Sequence, residues 1–387
     1  SDLDTLYGVL SMFSAQKWTD KKNLSDGKIR DLIEHLSTRK LGNKNYPADL
    51  MGDAYEILLK KFADDSKAQA GEFYTPRSVV NLLVRILDPQ PGETVYDPAC
   101  GSGGMLIEAI QHMNHSSLCC GTIFGQEKNV VNSAIAKMNL FLHGASDFNI
   151  MQGDTLRSPK ILQNGEIAKF DCVIANPPFS LEKWGSTEWG SDKYGRNIWG
   201  TPSDSCGDYA WIQHMVKSMA PGNGRMAVVM PQGVLFRGNE EGRIREKLVK
   251  SDLVEAIVTL GDKLFYGTGL SPCFMILRRL KPAAHSARVL MIDGTKILTA
   301  KRAQNILSPE DVDRLYELYC KYEDIEDFSK VVTIDDIAAK GYDLSPNKYV
   351  NYHKEEIRPY AEVLAEFKAA YEEVLKREAE FEKLINA

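Results

Sequence analysis

The chain has 387 residues, of which 43% are hydrophobic and 26% charged, and its formal net charge is −6. That length allows two or three domains with sizeable cores, and no apolar run approaches the length of a membrane span. No basic segment followed by an apolar one opens the chain, and its seven cysteines lack the spacing of a disulfide framework, so we expect a cytoplasmic protein. The acidic balance requires that any nucleic-acid contact come from a local patch or from a partner.

Residues 1–70 are typical of helices joined by polar loops, the last helix being "ADLMGDAYEILLKKFAD". From about Glu93 the pattern changes to alternating strands and helices. The predicted strands are "TVYDPAC", "GTIFGQE", "FDCVIANPPF", "GRMAVVMP", "VEAIVTL", "CFMILRRL" and "ARVLMID". The predicted helices between them are "GGMLIEAIQHM", "NVVNSAIAKMNLFLHG" and "DYAWIQHMVKSM". This alternation predicts an α/β fold with a doubly wound, mostly parallel sheet.

The first strand ends in the glycine-rich turn "DPACGSGGML", which lets the backbone approach a ligand at a helix start. Dinucleotide enzymes use similar turns, but Asp97 ahead of the glycines would repel a pyrophosphate and suits a ligand with an ammonium group, such as S-adenosylmethionine. Glu127 follows the next strand, where an acid accepts from ribose hydroxyls, and Asp154 is placed to accept from an adenine amino group. Each acid alone is typical of a cap or a solvated loop, whereas three at successive strand ends predict a cofactor site. Its predicted residues here are Asp97, Ala99, Gly101, Ser102, Gly103, Gly104, Glu127 and Asp154.

A later strand ends in Asn176, two prolines and Phe179. Pro177 and Pro178 cannot donate to a sheet ladder, so the strand stops there and leaves an amide, a carbonyl and an aromatic face at its end. If the Asn176 side-chain oxygen and the Pro177 carbonyl each accept one hydrogen of an aromatic amine, its nitrogen lone pair points at an incoming methyl group. Phe179 offers a flat surface for the base. These four residues are the predicted catalytic residues.

Together, "NPPF", "DPACGSGG" and "GEFYTPR" resemble the amino-methyltransferases, and specifically the modification subunit of type I restriction–modification systems, an S-adenosylmethionine-dependent DNA adenine-N6 methyltransferase. The similarity runs from about Asp49 to Tyr352 and includes "GTPSDSCGDYAW", "MPQGVLFRGNEEGRIREKL" and "LFYGTGLSPCFMIL". Family members usually have a longer helical region ahead of this point, which the first seventy residues match poorly. The resemblance implies that "GEFYTPR" closes over the methionine end of the cofactor, through Glu72, Phe73, Tyr74, Thr75, Pro76 and Arg77.

The segment from Leu181 to Cys206 has no periodicity and is rich in aromatic residues. Its length indicates a functional lid, and its position after the predicted catalytic turn suits stacking on an unpaired base and contact with the nucleic-acid backbone. The residues predicted for this role are Trp184, Trp189, Tyr194, Trp199, Lys183, Lys193 and Arg196. A packed, structural loop is the alternative. Arg237, Arg243 and Arg245 are either a second phosphate contact or ordinary surface charges.

The C-terminal segment carries apolar residues at a 3–4 spacing over about four heptads, broken at Glu378. The positions are Ile357, Tyr360, Leu364, Phe367, Tyr371, Val374, Glu378, Phe381 and Ile385. The intervening residues are charged with acid in excess, which disfavours DNA as the partner. The pattern predicts a helix that packs on other helices, with docking on its own domain as the alternative.

The resulting prediction has three parts: a helical region at 1–70, a methyltransferase domain at 71–300, and a helical region at 301–387 that ends in a coiled-coil-like helix. The expected function is DNA adenine-N6 methylation without a metal. The resemblance implies a separate specificity subunit, bound through the C-terminal helix, and a restriction subunit in the full complex, with no membrane association. The alternatives are an amino-methyltransferase acting on RNA or on a protein glutamine amide, and a non-catalytic scaffold subunit.

Overall fold

The computed structural model describes residues 25–38, 75–114, 121–145, 147–265, 271–301, 304–353 and 360–385. The chain divides into two compact units, Ser1–Asn351 and Tyr352–Ala387. The predicted helix "ADLMGDAYEILLKKFAD" and the predicted site residues Glu72, Phe73 and Tyr74 lie outside the described residues. Within the described ranges, no helix has both the length and the hydropathy needed to cross a membrane.

A nine-stranded sheet forms the centre of the first unit, and its order is β11-β10-β8-β9-β7-β6-β1-β2-β3. Neighbouring strands are parallel except where β9 or β11 takes part, which confirms the mostly parallel, doubly wound sheet. A separate two-stranded ribbon joins β4 and β5. The strands are β1 (Val95–Asp97), β2 (Ile123–Glu127), β3 (Phe148–Gln152), β4 (Leu162–Gln163), β5 (Glu166–Ile167), β6 (Cys172–Ala175), β7 (Arg225–Pro231), β8 (Val254–Leu260), β9 (Pro272–Arg278), β10 (Arg288–Gly294) and β11 (Ser329–Thr333).

Helices cover both faces of this sheet. The helices among the described residues of the first unit are α1 (Asp26–Ser37), α2 (Arg77–Leu87), α3 (Gly104–Asn114), α4 (Val130–Leu142), α5 (Ser186–Trp189), α6 (Asp208–Ser218), α7 (Asn239–Lys250), α8 (Pro309–Lys321) and α9 (Ile334–Ala339), and the second unit contains α10 (Tyr360–Ile385). One apolar core contains residues of α2, α3, α4 and α8, and a second contains residues of α6, α7 and α9. Strand β6 shows why two cores form: Cys172 and Ile174 enter the first, whereas Val173 and Ala175 enter the second. This period of two places helices on both sides of the sheet.

Local sequence signals set where several helices begin. Asn129 caps α4, because its side chain accepts hydrogen bonds from the backbone of Val131 and Asn132. A reciprocal capping box between Ser308 and Asp311 opens α8. Each cap satisfies backbone donors that the first turn of a helix leaves unpaired, so these helices start at fixed residues.

The second unit contains α10, which confirms the helix predicted at the C-terminus. Large apolar side chains stay exposed along it, although Ile357 of the predicted heptad face lies outside the described residues. Exposed apolar surface of this extent is typical of interaction sites in folded proteins. The exposed residues are Tyr360, Val363, Phe367, Tyr371, Val374, Leu375 and Phe381.

Candidate functional site

The predicted site residues follow strands that end at the same edge of the sheet. Strand β1 pairs in parallel with β2 on one side and with β6 on the other, so the strand order reverses at β1. In open α/β sheets, ligands bind outside the carboxyl ends of the strands at such a reversal. Asp97, Glu127, Asp154 and Asn176 end or follow β1, β2, β3 and β6, respectively. The fold therefore brings these four predicted residues to one edge, which we call the carboxyl edge.

The glycine turn between β1 and α3 is shaped by two residues in the left-handed region. Gly101 has φ +52° and Gly103 has φ +83°, a conformation that L side chains rarely adopt. A Cβ atom at Gly101 or Gly104 would meet no atom of the described residues within 4 Å. The Ser102 carbonyl accepts a hydrogen bond of 3.1 Å from the Asn139 side chain in α4. The turn is thus held by α4 on one side, where Gly103 packs near Ala136, and the described residues leave open space at Gly101 and Gly104.

Asp97 is 2% exposed, and its Oδ1 atom accepts a hydrogen bond of 2.9 Å from the Ala99 backbone. Burial raises the pKa of Asp97 to about 8; the nearby Glu127 carboxylate adds to the shift and the Ala99 hydrogen bond opposes it. A cation arriving beside Asp97 would favour its ionised form. The site therefore fits a ligand with an ammonium group.

Glu127 joins β2 to the glycine turn. Its Oε2 atom accepts from the Gly101 backbone at 3.0 Å, and its Oε1 atom accepts from the Asn129 backbone at 2.7 Å. Val130 and Val131, three and four residues further along the chain, are 63% and 51% exposed. Exposed apolar side chains therefore open α4, just after the acid that the sequence predicts to bind a ribose.

Asp154 has two protein partners. Its Oδ2 atom lies 3.0 Å from Lys128 Nζ, and its Oδ1 atom accepts from the Arg157 backbone at 3.2 Å. The side chain therefore already stabilises the turn after β3. Its predicted contact with an adenine amino group stays a prediction.

Cys100 lies inside the glycine turn and is 6% exposed. Burial raises the pKa of its thiol well above the ordinary value, and the neighbouring carboxylates of Asp97 and Glu127 raise it further. Gly125 of β2 allows the close packing, because a Cβ atom there would lie 3.0 Å from Cys100 Sγ. Cys100 is therefore an un-ionised thiol at neutral pH.

The turn after β6, residues 176–180, we call the catalytic turn. Asn176 Nδ2 donates a hydrogen bond of 2.9 Å to Thr75 Oγ1, just ahead of α2. Asn176 Oδ1 is buried and has no hydrogen-bond partner among the described residues. A buried acceptor normally has a donor, so an incoming N–H group is a candidate partner for this oxygen.

The other residues of the predicted site surround this amide. Pro177 is buried and Pro178 is exposed, whereas Phe179 is half-buried and packs on the first apolar core. Pro76 caps α2, and Arg77 is its exposed first residue. The end of the "GEFYTPR" segment thus contacts the catalytic turn through Thr75, whereas Glu72 to Tyr74 lie outside the described residues.

Three potential metal ligands, Cys206, Asp208 and Glu241, lie close together in the described part of the chain. The guanidinium group of Arg237 lies among them. Its Nη1 atom is 2.8 Å from Asp208 Oδ2, 3.1 Å from Cys206 Sγ and 3.5 Å from Glu241 Oε1. The cluster is therefore organised around a protein cation.

The prediction that the loop aromatics stack on a nucleic-acid base is wrong for Trp184, Trp189 and Trp199, because each of them is buried. Trp184 and Trp189 form a small core with Leu156, Ala210 and Trp211, against which Ala99 of the glycine turn packs. The packed loop, the alternative above, describes this segment. Lys183 and Lys193 are exposed, and Tyr194 is half-exposed.

The prediction that Arg196 contacts a nucleic-acid backbone is also wrong, since it is 2% exposed. Its guanidinium donates to Asp192 Oδ1 at 2.6 Å and to the carbonyls of Thr155 and Leu156 at 2.9 Å each, over the ring of Trp189. Arg196 therefore joins the loop to the segment after β3.

Arg245 is buried as well, so it is neither a phosphate contact nor a surface charge. It donates to the carbonyls of Tyr342 and Arg237 at 2.7 Å each and to that of Val234 at 3.2 Å. Arg243 is exposed. Of the three arginines, Arg237 and Arg243 retain access to solvent.

Sequence reasoning missed Asp208 and His214. His214 is fully buried, with Nε2 3.1 Å from the Tyr96 hydroxyl of β1 and Nδ1 3.4 Å from Arg196. Burial, together with the Arg196 charge, lowers the pKa of His214 well below its ordinary value, so the ring is neutral. Both residues lie in the helix "DYAWIQHMVKSM", which also contains Gln213, Lys217 and Ser218, so their polarity alone does not distinguish them in the sequence.

Comparison with known proteins identifies the family. A profile of the N-6 DNA Methylase family matches residues 47–357. The chain is 36% identical to the type I restriction enzyme MjaVII methylase subunit of Methanocaldococcus jannaschii, over 78% of this chain and 53% of that protein. It is 33% identical to the MjaIX methylase subunit of the same organism, over 99% of this chain and 69% of the relative.

A solved structure gives the same result. The type I restriction-modification system methyltransferase subunit of Streptococcus thermophilus is 28% identical, with a TM-score of 0.79 over 88% of this chain and 72% of that one. The chain spans about half the length of the MjaVII subunit. Because the family profile covers most of the sequence, the chain belongs to the N-6 DNA methylase family.

Proposed function

We propose that this chain is the methyltransferase subunit of a type I restriction–modification complex, and that it methylates adenine N6 in DNA in the cytoplasm. The observation that carries the proposal is the buried Asn176 Oδ1 at the carboxyl edge, which has no hydrogen-bond partner among the described residues. An adenine amino group supplies the N–H donor that this oxygen lacks. The family membership and the relatives named as type I methylase subunits support the same reaction.

The proposed methyl donor is S-adenosylmethionine, which supplies an electrophilic methyl group when bound. The residues fit it in two respects. The glycine turn leaves open space at Gly101 and Gly104, and the buried Asp97 suits the cofactor's ammonium group. Glu127 and the exposed Val130 are the proposed contacts for the ribose and the adenine ring.

In the proposed reaction, the chain positions the target amine and needs no strong base, because the nitrogen becomes acidic once it carries the methyl group and then releases one proton to solvent. Asn176 Oδ1 and the Pro177 carbonyl accept the two amine hydrogens, so that the nitrogen lone pair is directed toward the methyl donor. Thr75 holds the amide with its oxygen available. Phe179 provides the ring on which a flipped adenine stacks.

The proposed partner surface is the apolar face of α10. Its aromatic residues are exposed along a helix that would be marginal in isolation. Because acidic residues surround this face, the proposed occupant is a helix of the specificity subunit. A restriction subunit completes the proposed complex.

Deleting the residues after Tyr352 tests this partner. We expect a folded protein that still binds S-adenosylmethionine but neither co-purifies with the specificity subunit nor methylates specific sites. A truncated chain that assembles and methylates normally, or a deletion that unfolds the first unit, contradicts the proposal.

The function itself is tested with the chain assembled with the proposed specificity subunit. Labelled S-adenosylmethionine is supplied with plasmid DNA, with RNA or with a protein extract, and the products are hydrolysed and separated. We expect label in N6-methyladenine from DNA. Label in RNA or in methylglutamine instead, or no transfer at all, rejects the proposed substrate.

A further inference from the structure

The far end of the catalytic turn is held by a side chain from α6. Ser180, directly after Phe179, has φ +50°, a conformation that is uncommon for residues other than glycine. Its backbone N–H donates a hydrogen bond of 2.7 Å to Asp208 Oδ1. Asp208 is fully buried, so its carboxylate is shielded from water. A charged, shielded acceptor fixes the backbone of Ser180 where a neutral contact would hold it less firmly.

Arg237 completes this arrangement from the turn after β7. Its Nη1 atom lies 2.8 Å from Asp208 Oδ2, and its Nη2 atom lies 3.4 Å from Ser180 Oγ. The same guanidinium therefore orients the carboxylate and contacts the catalytic turn directly. Its side chain is 34% exposed and lies near the surface of the carboxyl edge.

Gly233 provides the room for this guanidinium. A Cβ atom at Gly233 would lie 2.5 Å from Arg237 Nε and 2.6 Å from Nη2. The backbone of Gly233 does not adopt a left-handed φ, so alanine is compatible with its conformation. A single methyl group at this position would displace the guanidinium without removing any charge.

We propose that Asp208 and Arg237 are positioning residues for methyl transfer, because they clamp the catalytic turn at Ser180 while Thr75 holds it at Asn176. The inference rests on the proposed function. The two anchors fix both ends of a five-residue turn, and with them the direction of the Pro177 carbonyl. A misplacement of ~1 Å at a reacting group costs up to ~100-fold in rate, so loosening one anchor lowers the transfer rate without changing the cofactor site.

A matched ion pair at the opposite edge of the sheet separates positioning from mere stability. Glu255, at the start of β8, is buried and pairs with Arg278 at the end of β9. Like the clamp, this pair joins a shielded carboxylate to a partly exposed guanidinium. Glu255→Gln therefore removes a comparable interaction far from the catalytic turn.

The test compares Asp208→Asn, Gly233→Ala and Glu255→Gln in the assembled complex. Asparagine keeps an oxygen acceptor for Ser180 but loses the charge that holds Arg237. Single-turnover methyl transfer, S-adenosylmethionine affinity and the unfolding midpoint are measured for each. We expect transfer to fall at least about tenfold in Asp208→Asn and Gly233→Ala, with unchanged cofactor affinity. Glu255→Gln lowers the unfolding midpoint and transfers at the parent rate.

Parent-like transfer in both clamp variants overturns the positioning role, and so does an equal loss of rate in Glu255→Gln. If Asp208→Asn does not fold, the transfer rate of Gly233→Ala alone tests the positioning role, because that variant keeps every charged group. Failure of the proposed function gives a different result from failure of the positioning role. In that case the parent complex itself transfers no methyl group to adenine, and the inference is rejected together with the proposed function.

Discussion

The two turns that flank the strand reversal are built in opposite ways. The glycine turn after β1 has two glycines in the left-handed region and open space in front of it. The catalytic turn after β6 has no glycine, contains two prolines, and is anchored at its ends by Thr75 and Asp208. One turn accommodates a ligand by leaving room, and the other presents fixed acceptors. Added atoms should therefore damage the first, and removed atoms the second.

The substitution with the largest expected effect is Asn176→Ala, which tests whether the catalytic turn acts through the acceptor that it presents. Removing the amide takes away an acceptor used mainly in the transition state, so methyl transfer should fall by about 100- to 1,000-fold. Affinity for S-adenosylmethionine should stay within a few-fold of the parent, as measured by calorimetry. A variant that keeps most of the parent transfer rate removes Asn176 from the mechanism.

The converse substitution is Gly101→Trp, which fills the space in front of the glycine turn. Affinity for S-adenosylmethionine should weaken by at least about 100-fold, or about 2.8 kcal/mol. Gly92→Trp is the matched control, because Gly92 also has a left-handed φ of +89° and open space at its Cβ position. Calorimetry with both variants decides the matter, and unchanged affinity in Gly101→Trp would mean that the ligand lies elsewhere.

Phe179→Ala tests whether this residue of the catalytic turn binds the target base, in contrast to Asn176, which is proposed to act on the amine. Loss of a base stack should weaken binding of the flipped adenine by ~1–3 kcal/mol. Binding to DNA with an abasic site at the target serves as the control, since no base is present to stack. If Phe179→Ala weakens both complexes equally, its ring supports the fold and does not hold the base.

Asp97→Asn tests the charge in the first turn through the pH dependence of stability. Because the pKa of Asp97 is raised from 3.8 to about 8, the folded state keeps a proton that the unfolded state loses between those values. This carboxyl therefore makes the free energy of unfolding fall as pH rises from about 4 to about 8. Denaturant titrations at several pH values should show a smaller fall in Asp97→Asn. Parallel curves for parent and variant would contradict the raised pKa.

The sheet and the residues at the strand ends could be predicted from sequence because they depend on local patterns. Apolar runs define the strands, and the carboxyl ends of parallel strands meet at one edge whatever the loops do. Asp97, Glu127 and Asn176 could thus be placed near each other without coordinates. The antiparallel direction of β9 could not be predicted from sequence, because it depends on which strands pair in the folded sheet.

The loops could not be predicted because their contacts join distant parts of the chain. Arg196 donates to a carbonyl 41 residues away, and Asn176 contacts Thr75 across 101 residues. Composition alone does not distinguish a tryptophan that stacks on a base from one that packs on Leu156. The contacts of Arg237 could not be predicted either, since its partners come from the catalytic turn, α6 and α7.

The burial of Cys100 has a chemical consequence for the proposed use of S-adenosylmethionine, which is an alkylating reagent. A sulfonium methyl group reacts readily with a thiolate, and the thiolate is the nucleophilic form of cysteine. Cys100 lies between Ala99 and Gly101, in the turn proposed to bind that reagent, yet Asp97 and Glu127 reinforce its un-ionised state. Burial first, and then these two carboxylates, keep Cys100 in the un-ionised form that reacts slowly with a sulfonium methyl group.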